Sequence, residues 1–289
     1  MISRKKIISK SCDELTICES DLSIESDEDV WYQKDKLYQD HVQEVLMKWD
    51  QIDDEIWGKI ICMEKNRRVA KAYARIPLLN VCGSSDGFDG FNIGLAGFEN
   101  PLRDAKCEEA LKSIGKGVRI RIDEEGNVLA KKCEKCPATV KDWHGELLEP
   151  FSNCIAEEVI YAKGKLELEK TVKIFDMQKF QRNIAHELKD AYPDRRKLER
   201  QCITAISFAK NTCDLLETPV WIMIINIVAL EVLKSKMQPN SDDVYGHIYS
   251  SIADSKDGRN ECSKKSKRDF KKYEIKDQQQ PQQQQMVTA

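Results

Sequence analysis

The sequence lacks a long apolar run, an excess of charge of one sign and a paired set of cysteines. Its longest apolar stretch, residues 219–233, contains Asn226 and Glu231 and falls short of the roughly 18 to 20 residues that a bilayer crossing needs. We interpret it as a buried strand that runs into a helix. The basic cluster at residues 4–6 is followed by acidic residues instead of an apolar run, so no secretory signal is expected.

Charge and cysteine usage narrow the functional class. With 46 Lys and Arg against 49 Asp and Glu, the chain has no broad basic face for nucleic acid, although a local basic patch is compatible with this balance. Its 11 cysteines are odd in number and spread singly, which is typical of a reduced, intracellular protein. The length of 289 residues, 33% of them charged, predicts one domain of about 180 residues with polar flanking segments.

Common catalytic motifs are also missing. The sequence has no Gly-x-Ser-x-Gly elbow, no Gly-x-x-x-x-Gly-Lys-Ser/Thr loop and no His-Glu-x-x-His. His144 and His186 have no nucleophile near them in sequence, so we interpret both as surface residues. We therefore predict a protein without catalytic residues, cofactor or metal.

Cys133 and Cys136 have the CxxC spacing that lets two thiolates share Zn²⁺ or one thiol resolve a disulfide. A structural zinc needs a second pair, and neither Cys107 nor Cys154 has a Cys or His at short spacing. We favour two free turn thiols and keep zinc or thiol chemistry as the enzyme alternative. The glycine-rich stretch 83–90 is interpreted as a loop between strands, because its two Asp would repel a phosphate.

Both ends of the chain are predicted to be disordered. Residues 1–27 are acidic and have few large apolar side chains. Ser20 and Ser26 directly precede acidic residues and Ser23 lies two positions before Glu25, so an acidophilic kinase could use them, although a solvated acidic segment is the simpler interpretation. Residues 240–289 end in a Gln-rich tract. Within them, the basic run 264–268 fits a nuclear-import signal, an anionic-surface patch or a solvated charge run.

Residues 28–54 are predicted to contain an amphipathic helix that packs on the following domain, 55–239. The stretch 29–51 has no Gly or Pro. Packing within the chain is favoured over packing on a partner. The apolar residues, which recur at spacings of three, four and seven, are Val30, Leu37, Val42, Val45, Leu46, Trp49 and Ile52.

The domain itself is predicted to be mainly β. In Val118–Ile122 two Arg alternate with three apolar residues, as in a half-buried antiparallel strand, and the turn at 124–127 predicts a hairpin over 117–132. So many short strands joined by turns are typical of an antiparallel β-sandwich. The other predicted strands are 57–63, 69–74, 92–98, 138–141, 155–161, 171–175, 203–208 and 220–225. The predicted helices are Ala105–Ile114, 177–189, 194–202 and 228–237.

Four segments, in order, resemble the C-terminal effector domain of the Smad proteins, the Mad-homology-2 (MH2) domain. They are 57–73, 91–95 with 114–119, 172–176, and 202–210 with 218–222. The chain is most similar to divergent arthropod Smad-like proteins that have no DNA-binding domain ahead of MH2. The resemblance implies a SMAD/FHA-like sandwich with a three-helix bundle at one end and a loop-helix region at the other. It also implies a non-enzymatic domain that binds receptors, transcriptional partners and its own relatives.

The resemblance further implies a basic pocket that holds a phosphorylated Ser-x-Ser tail of a neighbouring subunit. Lys210 matches one cation of that pocket, but the Tyr and Arg companions are missing from a shortened loop that carries Asp214 and Glu217. Carboxylates repel phosphate, and residues 285–289 contain no Ser-x-Ser. We therefore predict a constitutive scaffold that tail phosphorylation does not switch into trimers.

Three surfaces are candidates for binding proteins, including other Smad proteins or signalling receptors. The first is the shortened loop. The second is the loop with Gly83 and Asp86, which matches a family loop that faces the next subunit. The family usually has a basic residue opposite that loop, whereas Leu111 and Lys112 lie in this region here, so we predict weak self-association. The third is a basic helix face, for which plain solvation is the simpler interpretation. The candidate residues are Gly83, Asp86, Arg195, Arg196, Arg200, Lys210, Asn211, Asp214 and Glu217.

A second interpretation is an adaptor that reads phosphopeptides, because forkhead-associated domains share the sandwich architecture. Lys116, Arg119 and Arg121 would then hold the phosphate. Under both interpretations we expect no direct DNA binding and no membrane span, and a location in cytoplasm and nucleus.

Overall fold

Two five-stranded β-sheets packed face to face form the centre of the structure, a computed structural model that describes residues 29–141, 154–209 and 214–237. The first sheet has the strand order β2-β1-β10-β9-β7 and the second sheet the order β4-β3-β5-β6-β8. The strands are β1 Gly58–Glu64, β2 Arg67–Ala74, β3 Leu78–Cys82, β4 Asn92–Gly94, β5 Val118–Ile122, β6 Val128–Lys132, β7 Thr139–Lys141, β8 Thr171–Phe175, β9 Ile203–Ser207 and β10 Trp221–Asn226.

Six α-helices surround the sheets in the part of the chain that the structure describes. They are α1 Lys34–Met47, α2 Ala105–Ile114, α3 Glu157–Tyr161, α4 Met177–Glu187, α5 Arg195–Gln201 and α6 Ile227–Lys236. Short 3-10 helices lie at Trp49–Gln51, Leu95–Gly97 and Leu215–Glu217. The sandwich with added helices confirms the predicted fold class.

The hairpin predicted over 117–132 is confirmed by the antiparallel pair β5 and β6. One strand pair departs from the antiparallel rule, because β3 runs parallel to β4. The predicted strand 155–161 is wrong, because its last five residues form α3. Glu157 and Glu158 lie in the first turn of this helix, where negative charge is favourable. Only the start of the segment meets the neighbouring strand β8, through the hydrogen bond from the Ala156 amide to the Lys173 carbonyl at 3.3 Å.

Helices α4, α5 and α6 contact one another and form the expected three-helix bundle. Each helix begins at a polar residue whose side chain accepts a hydrogen bond from the first turn. Asp176 accepts from the amides of Gln178 and Lys179 at 2.9 and 3.1 Å. Asp194 accepts from the Lys197 amide at 3.0 Å, and Asn226 from the Ala229 amide at 3.0 Å.

The first sheet is covered on its outer face as well as its inner one. All residues of β1, β9 and β10 are buried, and α5 and α6 pack on this sheet. Helix α1 adds to the cover, since its Leu37, Tyr38, Val42 and Val45 are buried. The sheet therefore has two buried faces, whereas β5 of the second sheet alternates strictly between buried and exposed residues.

A buried ionic cluster joins α1 to the first sheet. Glu44 of α1 accepts hydrogen bonds from Lys59 at 2.6 Å and from Lys71 at 2.8 Å, and Lys59 is 0% exposed. At the other end of the helix, Asp35 lies 3.6 Å from Arg200 of α5. The helix thus contacts both the sheet and the bundle.

His41 of α1 is buried beside this cluster, and its titration predicts a loss of stability in mild acid. The pKa of His41 is lowered to about 4, mainly by burial. The positive charges of Lys59 and Arg68 lower it further, whereas the hydrogen bond with Glu44 raises it. Because the folded pKa lies below the ordinary value of about 6.5, the unfolded chain takes up this proton first as the pH falls. The contribution of His41 to the free energy of unfolding should therefore fall by about 3 kcal/mol between pH 6.5 and pH 4.

Urea unfolding of the wild type and of His41→Gln between pH 7 and pH 4 measures this effect. The amide cannot titrate in this range, so the variant should have a flatter dependence of the unfolding free energy on pH. Equal slopes for the two proteins would show that His41 is not held neutral by its surroundings.

Candidate protein-interaction surfaces

The shortened loop ends in a well-anchored turn. Leu215 is buried, and the Asp214 carboxylate accepts a hydrogen bond from the Leu216 amide at 3.0 Å. The Thr218 hydroxyl donates to the Asp214 carbonyl at 2.9 Å, while Glu217 is exposed. This end of the loop therefore presents an exposed carboxylate. Lys210 and Asn211 lie outside the described residues.

Gly83 and Asp86 lie in one loop but in different surroundings. Gly83 packs on the end of α2, so closely that a Cβ atom there would lie 2.7 Å from the Leu111 carbonyl oxygen. Asp86 is exposed. Of the two α2 residues considered as its basic counterpart, Leu111 is buried in the core and Lys112 is exposed. Only Lys112 has the charge and the exposure to meet an Asp86 of another copy.

The basic face of α5 is partly engaged by this chain. Arg195 pairs with Glu199 at 2.8 Å, and Arg200 lies 3.6 Å from Asp35 of α1. Arg196 is exposed. Helix α1 therefore covers part of the basic face of α5 that we predicted to bind protein partners.

The outer face of the second sheet carries a cluster of cations, which we name the basic face: Lys116, Arg119, Arg121, Lys131 and Lys173. Arg119 and Arg121 are the exposed residues of β5. Lys131 of β6 is directly opposite Arg119 of β5. Leu129 of β6 is opposite Arg121 of β5 on one side and opposite Lys173 of β8 on the other. The sequence pointed to the three residues before and within β5, but Lys131 and Lys173 join them only through the pairing of β6 and β8.

A cleft of about 450 Å³ opens at one end of the basic face. Within it the Glu134 carboxylate accepts a hydrogen bond from the Lys116 amide at 2.6 Å. The turn needs glycine here: Gly115 has a φ of 55°, and a Cβ atom would lie 2.2 Å from the Glu134 carboxylate. An anion entering the cleft would have to compete with this carboxylate. Its lining residues are Asn80, Cys82, Ser84, Gly115, Lys116, Arg119, Cys133 and Glu134.

The residues considered for chemistry form no metal-binding group in the part of the chain that the structure describes. Cys133 and Cys136 are free thiols, and burial raises the pKa of Cys136, which favours its protonated form. Among the described residues no three His, Cys, Asp or Glu side chains are grouped to hold a metal ion. His186 is exposed, and His144 lies outside the described residues. No helix in the described ranges has the length and apolar character to cross a membrane.

Sequence reasoning missed the cluster of Glu44, Lys59, Lys71 and His41. Its signal was weak, since Lys59 is a cation within the apolar strand that starts at residue 58. A charged residue in a strand buried on both faces requires a partner, but the sequence does not say that the partner comes from α1.

Comparison with known proteins gives the family. The model of the MH2 domain matches residues 55–227. The Smad protein daf-8 of Caenorhabditis elegans is 27% identical over 135 residues, which are 45% of this chain and 23% of that protein. The matched region thus spans about a quarter of the length of this curated relative.

Two solved structures are more distantly similar. STAT2 in complex with IRF9 has 13% identity and a TM-score of 0.44, and the match covers 62% of this chain and 96% of that chain. The IAD domain of Interferon Regulatory Factor 9 has 12% identity and a TM-score of 0.43, with 70% and 95% covered. Such low TM-scores support no inference about this chain.

Proposed function

The chain belongs to the MH2-domain family, and from that premise we propose that it is a non-enzymatic scaffold in signalling or transcriptional regulation whose assembly does not depend on tail phosphorylation. The observation that carries the second half of this proposal is the acidic character of the turn before β10. Asp214 and Glu217 lie where the MH2 resemblance places a phosphate-binding loop.

The physical argument concerns the charge that a phosphoserine brings. A phosphoserine carries about −1.5 to −2 charges and is held by charge-assisted hydrogen bonds from Lys or Arg. Glu217 is exposed and would repel it. The carboxylate of Asp214 is fixed by its hydrogen bond to the Leu216 amide, so it cannot swing away without loosening the turn.

We therefore expect a doubly phosphorylated Ser-x-Ser peptide to leave the molar mass of the purified protein unchanged in light scattering. The unphosphorylated peptide serves as the control for the phosphates. If the carboxylates are the cause, Glu217→Arg should raise the affinity for the phosphorylated peptide by about tenfold, since it replaces repulsion by attraction at an exposed position. Trimer formation by the wild-type protein on addition of the phosphopeptide would contradict the proposal.

The candidate surfaces enter the proposal with different support. Asp86 and Lys112 are both exposed and of opposite charge, which fits a weak contact between copies of this chain. Arg195, Arg196 and the shortened loop remain candidate contacts for other proteins, such as Smad relatives or receptors. The same proposal includes the domain division into an acidic segment 1–27, a helix within 28–54, the domain 55–239 and a polar end. It also includes a location in cytoplasm and nucleus.

The alternative function, a phosphopeptide reader of the forkhead-associated kind, would use the basic face. This alternative is favoured by the exposure of Arg119 and Arg121 on the same face of β5. The MH2 match over residues 55–227 favours the Smad-like function.

A further inference from the structure

The basic face holds more positive charge than its surroundings neutralise. Arg119 and Lys131 are directly opposite each other on β5 and β6, and like charges in that position destabilise a sheet. Such an arrangement is tolerated more easily when an anion lies between the two cations. The face is therefore a candidate for an anionic ligand.

The carboxylates nearby meet this demand only in part, since one of them, Glu169, is shared: the hydrogen bond from Lys131 and the charges of Lys131, Arg119 and Lys116 together lower its pKa. Lys131 pairs with Glu169 at 2.5 Å and Lys173 with Asp176 at 3.4 Å. The carboxylate of Glu134 is engaged by the Lys116 amide. Within residues 29–141, 154–209 and 214–237, no hydrogen bond or ion pair is present for the side chains of Arg119 and Arg121.

The basic face also has an apolar component. Leu78 of β3 is 38% exposed and lies opposite Arg121. Leu129 of β6, on the other side of Arg121, is half-buried. A ligand that matches this surface would combine carboxylates with aliphatic side chains.

One segment of this chain has that composition. Residues 13–28 contain seven Asp or Glu and no Lys or Arg. Leu15 and Ile17, and again Leu22 and Ile24, alternate with polar residues, so an extended chain would place each pair on one side. Residues 240–289, by contrast, have nine Lys or Arg against eight Asp or Glu, and residues 142–153 have three carboxylates.

The tether allows the segment to reach the face. It joins the described chain at Asp29, whose carboxylate pairs with Arg68 of β2. Sixteen extended residues span roughly 50 Å, which exceeds the roughly 30 Å diameter of a small domain, so the first residues of the segment can reach the face while its last residues form the connection to Asp29. Covalent attachment close to the face also gives the segment an effective concentration of roughly the mM range, which favours this occupant over a free peptide of equal affinity.

We propose that residues 13–28 dock on the basic face of the second sheet, as an intramolecular cover held by charge and by contacts to Leu78 and Leu129. The docked segment shields Arg119 and Arg121 from other acidic ligands. Phosphorylation of Ser20, Ser23 or Ser26 adds negative charge to the segment and tightens the contact. This docking is independent of the proposed insensitivity to tail phosphorylation, because it uses a different surface.

Zero-length carbodiimide coupling of the full-length chain, followed by mass spectrometry, tests the contact directly. An equal mixture of ¹⁴N and ¹⁵N protein separates links within one chain from links between copies. We expect intrachain links from the carboxylates of 13–28 to Lys116, Lys131 and Lys173, which disappear in about 1 M salt, where the Debye length is about 3 Å.

Matched variants identify the surface. Arg119→Gln with Arg121→Gln changes two exposed side chains and should lower the yield of these links by about tenfold. Arg195→Gln with Arg196→Gln removes two charges from α5 and should leave the yield unchanged. Equal yields in both variants, or links mainly to Lys189 and Lys197 of the helical bundle region, would overturn the proposal.

A competition experiment gives a second readout. A synthetic peptide of residues 13–28 should bind a full-length variant without segment carboxylates about tenfold more tightly than the wild type, whose own segment competes. The variant carries Asp13→Asn, Glu14→Gln, Glu19→Gln, Asp21→Asn, Glu25→Gln, Asp27→Asn and Glu28→Gln. Equal affinities, links between copies, or binding of a phosphothreonine peptide but not of 13–28 would each refute the intramolecular cover, the last in favour of a phosphopeptide reader.

Discussion

Deletion of residues 1–54, which leaves the chain from the start of the MH2 match, is expected to abolish the folded monomer. The deletion removes Leu37, Tyr38, Val42 and Val45, all buried against the rest of the fold. At roughly 1.5 to 3 kcal/mol for each large apolar side chain, their burial is worth about 6 to 12 kcal/mol. That is comparable to the total stability of an ordinary domain, about 5 to 15 kcal/mol.

Size-exclusion chromatography and urea unfolding of the truncated chain measure this loss. Deletion of residues 1–28 is the matched control, because it shortens the chain at the same end and leaves α1 and its contacts in place. The control loses only the contacts of the docked segment 13–28 and should unfold within about 1.4 kcal/mol of the wild type, the equivalent of the tenfold competition expected above. A soluble, cooperatively unfolding monomer of 55–289 would show that α1 is dispensable for the fold.

Replacement of Glu44 by Ala is expected to lower the free energy of unfolding by about 3 to 5 kcal/mol, since it leaves a buried cation without its partner. Lys59 is 0% exposed and donates to Glu44 at 2.6 Å. The pKa of Lys59 is lowered to about 8, because burial outweighs the opposite effect of the neighbouring Glu44 carboxylate. The amine is therefore still largely protonated at neutral pH. Burial alone would raise the pKa of Glu44, but His41, Lys59 and Lys71 together hold it well below its usual range.

Two further variants isolate the buried charge as the cause. Glu44→Leu combined with Lys59→Met replaces the pair by apolar side chains, and it should recover most of the loss, because such replacements are often neutral or stabilising. Asp53→Asn breaks an exposed ion pair to Arg75 of 2.8 Å and should change the unfolding free energy by less than about 1 kcal/mol. A double variant no more stable than Glu44→Ala would point to lost helix packing instead.

The elements that the sequence predicted best are those with a complete local signal. The hairpin over 117–132 combines strict alternation with a turn, and α2 runs from a capping Asp104 to a Gly115 with positive φ. In both cases the residues that decide the structure lie within a few positions of one another. Helix α4 ended two residues earlier than predicted, at Glu187 instead of 189.

The elements that it missed depend on distant partners. Strand β3 has a short run of mixed polarity, and it is held by β5 and by the parallel β4. For 155–161 a strand was predicted, but residues 157–161 form helix α3, which begins with Glu157 and Glu158 in its first turn. For β3, pairing with distant strands decides the structure over local propensity.

The candidate surfaces divide in the same way. The alternation in β5 was enough to place Arg119 and Arg121 side by side on one face. Lys131 and Lys173 could be added only from the pairing of β5 with β6 and of β6 with β8. The engagement of Arg200 by Asp35 required the position of α1, which no local pattern gives.

The first sheet is buried on both faces, whereas β5 in the middle of the second sheet exposes every other residue, so the two sheets present unlike outer faces. On the second sheet the side chains stand on hydrogen-bonded strands about 4.8 Å apart, and neighbours on the same side of a strand are about 6.8 Å apart. These spacings are fixed by the backbone, so the side chains start from a regular grid of positions, although the Lys and Arg side chains themselves lose rotamer entropy when a ligand holds them. A grid of this kind selects ligands by the distance between their charges more than by their sequence.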